Sequence, residues 1–138
     1  MNPIDDLKYE KFGTVGAVAL DQYGNLAAAT STGGLVNKKY QRIGDSPLIG
    51  AGTYANNTTC AVSCTGKGED FIRLVIGHEI SAKMQYKHMK LHKAVDQVIQ
   101  HDLKAIGGRG GCIALDSKGN IAVSFTTSGM FHGFIDIS

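Results

Sequence analysis

Apolar positions fall into two kinds of pattern along this chain. Residues 15–20 and 26–30 are short runs of small and β-branched apolar residues around Asp21-Gln22-Tyr23-Gly24-Asn25, which predicts a hairpin with glycine at its tip. The same design returns later. Ala114-Leu115-Asp116-Ser117-Lys118-Gly119-Asn120-Ile121-Ala122 repeats Ala19-Leu20-Asp21-Gln22-Tyr23-Gly24-Asn25-Leu26-Ala27, and Thr126-Thr127 stands where Ser31-Thr32 stands in the first copy. Two copies are too few for a repeat array and predict one hairpin type used twice in a sheet. Between them, residues 61–65 predict a short strand. Two stretches with helical spacing follow, one with Ile72, Val75, Ile76 and Ile80 on one side, the other with Leu91, Ala94, Val95, Val98 and Ile99. Gly107-Gly108 predicts the end of the second. Strands, then helices, then strands give an α+β domain in which antiparallel sheets are flanked by helices.

Composition narrows the class. The chain has 138 residues, enough for one domain with a working core, and no Pro-rich or low-complexity linker divides it. Its net charge is only +2, so there is no basic footprint for nucleic acid or an anionic membrane. No apolar run approaches the roughly 18 residues that span a bilayer, and Met1-Asn2-Pro3-Ile4-Asp5-Asp6 has neither the charged nor the apolar region of a secretory signal. A cytoplasmic location is the default expectation. Cys60, Cys64 and Cys112 cannot all pair with one another, and reduced, partly buried thiols are expected. His88 and His92 are four apart but lack a third ligand, so neither a metal nor a cofactor is expected.

Candidate chemistry begins at Gly13-Thr14, immediately before the first strand. Cleavage there would give Thr14 a free α-amine beside its own hydroxyl, placing nucleophile and base on one residue. The amine has a reference pKa of roughly 7.7–8 and accepts a proton at working pH, whereas the amide of an intact chain does not. Taken alone, the dipeptide reads more readily as a strand residue after a turn glycine.

The opening GTVGAVALD is followed in order by Thr30-Ser31-Thr32-Gly33-Gly34, Arg42-Ile43-Gly44-Asp45-Ser46-Pro47 and Ser63-Cys64-Thr65-Gly66-Lys67-Gly68-Glu69. This series resembles the β-subunit of plant-type L-asparaginases, also called isoaspartyl aminopeptidases, within the N-terminal-nucleophile hydrolases. The resemblance runs from Gly13 to the end of the chain. It implies half of a four-layer αββα sandwich, with residues 1–13 as a precursor linker ahead of the cleavage site and 14–138 as the β-subunit-like catalytic domain. The α-subunit would be a partner, from the same type of precursor or a separate gene, in a dimer of αβ units (a heterotetramer). Any structural cation would belong to that α-subunit.

The implied activity is autoproteolysis at Gly13-Thr14, then hydrolysis of L-asparagine to aspartate and ammonia and of β-aspartyl dipeptides. Thr14 matches the nucleophile and Thr32 the second threonine that holds and polarises it. Arg42 matches the grip on the substrate α-carboxylate and Asp45 the acceptor of its α-ammonium, a division that suits a planar guanidinium fork beside an acid. Thr65 and Gly66 match the oxyanion hole, and Gly68 a glycine near the substrate amine. Each position also has a plainer reading. Thr32 suits a hydroxyl bonding its local backbone, Arg42 and Asp45 an exposed ion pair, and Thr65 to Gly68 a glycine-rich turn. Glu69 and Asp70 read as acids in the first turn of a helix, complementing its dipole. At the level of function, the alternatives are an uncleaved, catalytically silent β-like fragment that acts through pairing with a partner, and a glycosylasparaginase-like amidase.

Overall fold

A computed structural model describes residues 13–35 and 38–137; residues 1–12 of the expected linker lie outside the described residues. Strands β1 (Val15–Leu20) and β2 (Leu26–Ser31) form an antiparallel hairpin, with Val15 opposite Ser31 and Leu20 opposite Leu26. A separate antiparallel sheet contains β3 (Thr53–Ala55), β4 (Cys60–Gly66), β5 (Gly110–Asp116) and β6 (Ile121–Phe125), in that order. Helices α1 (Gly68–Leu74), α2 (Ile76–Lys87) and α3 (Leu91–Asp96) follow β4 in sequence, and α3 runs on into a π-helical segment, Gln97–Leu103. The α+β expectation holds.

The two hairpins share one turn chemistry, as their sequences predict. Asp21 Oδ1 accepts the N–H groups of Tyr23 and Asn25, each at 2.8 Å, and its Oδ2 accepts from the Asn25 side chain at 2.9 Å. Asp116 repeats this with Lys118 and Asn120, at 2.9, 3.0 and 2.9 Å. Gly24 and Gly119 supply the left-handed residue, at φ 84° and 82°. The aspartate mimics a backbone turn and the glycine adopts a conformation that a Cβ would resist.

Alternation along β4 explains the layers. Cys60, Val62 and Cys64, with Cys112, Ala114 and Ala122 beside them, face the helices and join Phe71, Ile76, Ile80, Val95, Val98, Ile99 and Leu103 in the core. The intervening Ser63 points the other way, onto the hairpin, where its Oγ donates to the Ala29 carbonyl at 3.2 Å. β4 is covered on both faces, so residues 60–64 are all buried. The hairpin is covered on one face only. Val15, Ala17, Ala19, Ala27 and Ala29 point outward and are exposed.

Several expectations need correction. The first helical stretch is broken at Val75, which has φ 49°, ends α1 and is exposed; Phe71 takes its place in the core. A β-branched residue in the left-handed region gives no sequence signal of a break, because glycine is the usual occupant. His88 ends α2 in the same way at φ 53°, so His88 and His92 do not share a helix face. All three cysteines are free, as expected, but fully rather than partly buried, and burial is the main cause holding the Cys60 thiol up at about 12. At the far end, Gly107 (φ 69°) and Gly108 close the helical stretch through N–H bonds of 2.9 Å to the Lys104 and Leu103 carbonyls. No helix among the described residues is long and apolar enough to cross a membrane.

Phe71 is fully buried at the junction of α1 with the sheet. Phe71→Ala removes an aromatic ring from a close-packed site and is expected to cost about 3–5 kcal/mol, read as a lowered midpoint in urea unfolding.

Candidate active site

The hairpin register brings the two threonines together. Val15 and Ser31 are the last matched pair, so Thr14 and Thr32 leave the same end of the ladder, and Thr14 Oγ1 donates to Thr32 Oγ1 at 3.2 Å. Thr32 Oγ1 also accepts the Gly34 N–H at 2.9 Å. That local bond and the contact with Thr14 coexist, so the two readings of Thr32 are not exclusive.

A cluster of hydroxyls seats this end of the hairpin. Thr30 Oγ1 lies 2.7 Å from Ser63 Oγ and 2.5 Å from Thr53 Oγ1, and Thr53 Oγ1 also lies 3.1 Å from the Ser46 carbonyl. Opposite Thr30, Gly16 packs so closely on Ser63 that a side-chain carbon there would run into the serine hydroxyl. The loop carrying Asp45 and Ser46 is thereby tied to the strand that positions the threonines.

Between hairpin and loop lies a cleft of about 440 Å³ whose walls include Thr14, Thr32, Arg42, Asp45 and Gly66. Thr65 opens instead onto an adjoining space of about 80 Å³ that shares Thr14 and is also lined by Met130 and Phe131. Gly66 has φ 153° and packs against the Phe71 ring and Gly110, where a side chain would not fit. Gly68 sits under the charged groups. The point a side-chain carbon would occupy there is 2.8 Å from Arg42 Nη2 and 2.9 Å from Asp45 Oδ1.

Those charged groups are arranged differently from a simple Arg42–Asp45 pair. Arg42 holds Glu69 in a two-point grip, Nε to Oε1 and Nη2 to Oε2, the second at 2.7 Å. Hydrogen bonding from Arg42 brings the Glu69 carboxyl down to about 2. Asp45 is 6% exposed, and its Oδ2 has no hydrogen-bond partner among the described residues. Burial is the largest influence on it and raises its pKa, against a smaller downward pull from Arg42. A buried carboxylate oxygen without a partner costs free energy that a cationic group in the cleft would recover.

The Glu69 contact is missing from the sequence reading because it joins residues 27 apart. Its signal, an acid directly after the Gly66-Lys67-Gly68 turn, reads equally as a helix-dipole acid. Tyr40 and Gln41 are a further surprise: both are left-handed, at φ 59° and 54°, just ahead of Arg42.

A sequence profile described as asparaginase matches residues 2–138. The chain belongs to the asparaginase family. It is similar to the isoaspartyl peptidases of Salmonella typhimurium and Escherichia coli, each 54% identical over 96% of this chain and over 42% and 40% of the relative. A probable isoaspartyl peptidase/L-asparaginase of Arabidopsis thaliana is 53% identical over 87% of this chain and 36% of its own length. This asparaginase-family chain thus spans about 40% of the length of the bacterial relatives it matches.

Two predictions follow from the geometry. Gly68→Ala forces Arg42 and Asp45 apart and is expected to weaken binding of a zwitterionic amino acid by about tenfold or more, the scale of one charge-assisted hydrogen bond, as calorimetry would record. The second concerns pH. An ammonium bound at Asp45 would need the ionised carboxylate, so its affinity is expected to fall as pH drops through a value above the ordinary 3.8, and Asp45→Asn to remove that dependence, both read by calorimetry across pH. The stability sign is opposite: the folded chain takes up this proton more readily than the unfolded one, so without ligand the Asp45 contribution favours folding increasingly as pH falls through the raised value.

Proposed function

We propose that this chain is the catalytic β-half of an N-terminal threonine amidohydrolase that cleaves L-asparagine and β-aspartyl peptides. One observation carries the reading: the Thr14–Thr32 hydroxyl pair opens into the same cleft as a guanidinium and a buried carboxylate oxygen that has no partner among the described residues. Nucleophile and zwitterion clamp then face one another across a space suited to a small amino-acid substrate. The names of the relatives, isoaspartyl peptidase and isoaspartyl peptidase/L-asparaginase, agree with that chemistry.

Activation and turnover use the same hydroxyl. In the precursor, Thr14 Oγ1 attacks the Gly13 carbonyl carbon; the C–O bond forms, the C–N bond breaks, and water hydrolyses the resulting ester to a Gly13 carboxylate and a free Thr14 amine. In the mature enzyme that amine takes the hydroxyl proton as Oγ1 attacks the β-carbonyl of the substrate. Thr32 holds and polarises Oγ1, while the Thr65 hydroxyl and the Gly66 N–H stabilise the oxyanion. The proton passes to the departing ammonia or amine, and water releases aspartate from the acyl-enzyme. Arg42 receives the substrate α-carboxylate and Asp45 its α-ammonium, with Gly68 leaving room for both.

The second half of the enzyme is proposed on separate grounds. The outer face of the hairpin is apolar and exposed at Val15, Ala17, Ala19, Ala27 and Ala29, and a two-stranded layer has unpaired edges. An α-subunit extending this layer and covering its outer face would complete the four-layer αββα sandwich, and two such αβ units would form the dimer. The same surface also suits the silent-fragment reading, in which pairing is the whole function.

Activity separates the two. With the N-terminal half present, the parent releases ammonia from L-asparagine. Thr14→Ala is expected to reduce this at least on the order of a thousandfold, and Thr32→Val by about ten- to a hundredfold. A parent with no turnover, or a Thr14→Ala variant with parental turnover, rejects the enzyme reading.

A further inference from the structure

Glu69 has no role in the chemistry so far, yet it makes a two-point contact with the guanidinium of the clamp. Its two oxygens occupy the Nε and Nη2 side of Arg42. The N–H groups that remain are those of Nη1 and the free side of Nη2, an edge that can still take a carboxylate through two parallel bonds. The guanidinium is hemmed in by glycines: a side-chain carbon at Gly44 would sit 3.4 Å from Nη1, and one at Gly68 2.8 Å from Nη2. Glu69 itself stands on the first turn of α1, beside Gly68 and anchored through the buried Phe71.

The chain leading into Arg42 does not hold the side chain by itself. Tyr40 and Gln41 are consecutive left-handed residues, at φ 59° and 54°, a conformation that crowds the Cβ of a non-glycine residue against its following carbonyl. Tyr40 is almost fully exposed, so packing of its own ring does not offset that crowding. The contact with Glu69 ties this strained turn to the helical layer.

We propose that Glu69 is a positioning residue for the substrate α-carboxylate: by gripping one side of Arg42, it turns the opposite edge toward the cleft beside Asp45 and fixes which edge the ligand meets. Glu69 does not touch the reacting carbonyl. Its role rests on the proposed function above, because it acts on the group assigned to the substrate carboxylate. Its effect therefore falls on binding rather than on bond making, and a merely structural acid at a helix start would not divide the kinetics in that way.

The test uses the assembled enzyme, with Glu69→Gln retaining shape and losing charge, and Glu69→Asp retaining charge on a shorter arm. The measurements are kcat and KM for L-asparagine and, independently of turnover, the Kd for L-aspartate by calorimetry. Glu69→Gln is expected to raise both KM and Kd about ten- to a hundredfold, the range for losing a charged bidentate contact, with kcat within about threefold of the parent. Glu69→Asp is expected to fall between the two. An unchanged Kd in Glu69→Gln, or a loss confined to kcat, overturns the positioning role while leaving the proposed function standing. If the parent binds aspartate without turning over asparagine, the hydrolase reading fails and the Kd comparison still decides the role of Glu69; if it does neither, both fall.

Discussion

The candidate site depends on how one hairpin is seated on the sheet beneath it. Gly16 allows β1 to approach Ser63 without a side chain between them, and Thr30, directly opposite, joins Ser63 and Thr53 in a hydroxyl cluster. Thr14 and Thr32 lie two residues beyond Gly16 and Thr30, so their meeting is a consequence of that seating and of a ladder with no bulge. Thr53 carries the restraint onward to the Ser46 carbonyl, and the Gly52 N–H bonds the Asp45 carbonyl at 3.1 Å. One cluster thereby sets the distance between the nucleophile pair and the clamp. Half-buried hydroxyl networks of this kind specify geometry because their members share donors and acceptors.

The clamp shows a division of electrostatic labour. Arg42 is already neutralised by Glu69, whose carboxyl stays ionised down to about 2, so the pair keeps its charges over any working pH. Asp45 is the opposite case, buried and with one oxygen lacking a partner among the described residues. On the proposed reading, a zwitterion would set its carboxylate on a cation already paired with Glu69 and its ammonium beside a buried carboxylate that Arg42 stabilises only in part. Recognition of the ammonium would then carry the larger change in solvation, and recognition of the carboxylate the larger demand on geometry.

Much of this was legible in the sequence where local chemistry decides structure. The Asp-x-x-Gly-Asn turns of both hairpins and the glycines after the last helix each follow from near neighbours, and the structure has them. Of the glycine and threonine motifs, Thr14, Thr32, Arg42, Asp45 and Gly66 line one cleft, while Thr65 opens onto the adjoining space. What escaped was set by tertiary packing. Val75 and His88 break helices without glycine, the π-helical segment Gln97–Leu103 has no simple period, and Glu69 reaches Arg42 across 27 positions. In each of these, packing overrides a local preference that pointed elsewhere.

The central claim is that position 14 works as the first residue of a mature chain, so that one side chain and its own terminus share a proton. N-terminal sequencing of catalytically competent material tests it most directly. The account predicts Thr-Val-Gly-Ala as the opening residues of the chain that turns over asparagine. Full turnover by a chain that still carries residues 1–13 would contradict it.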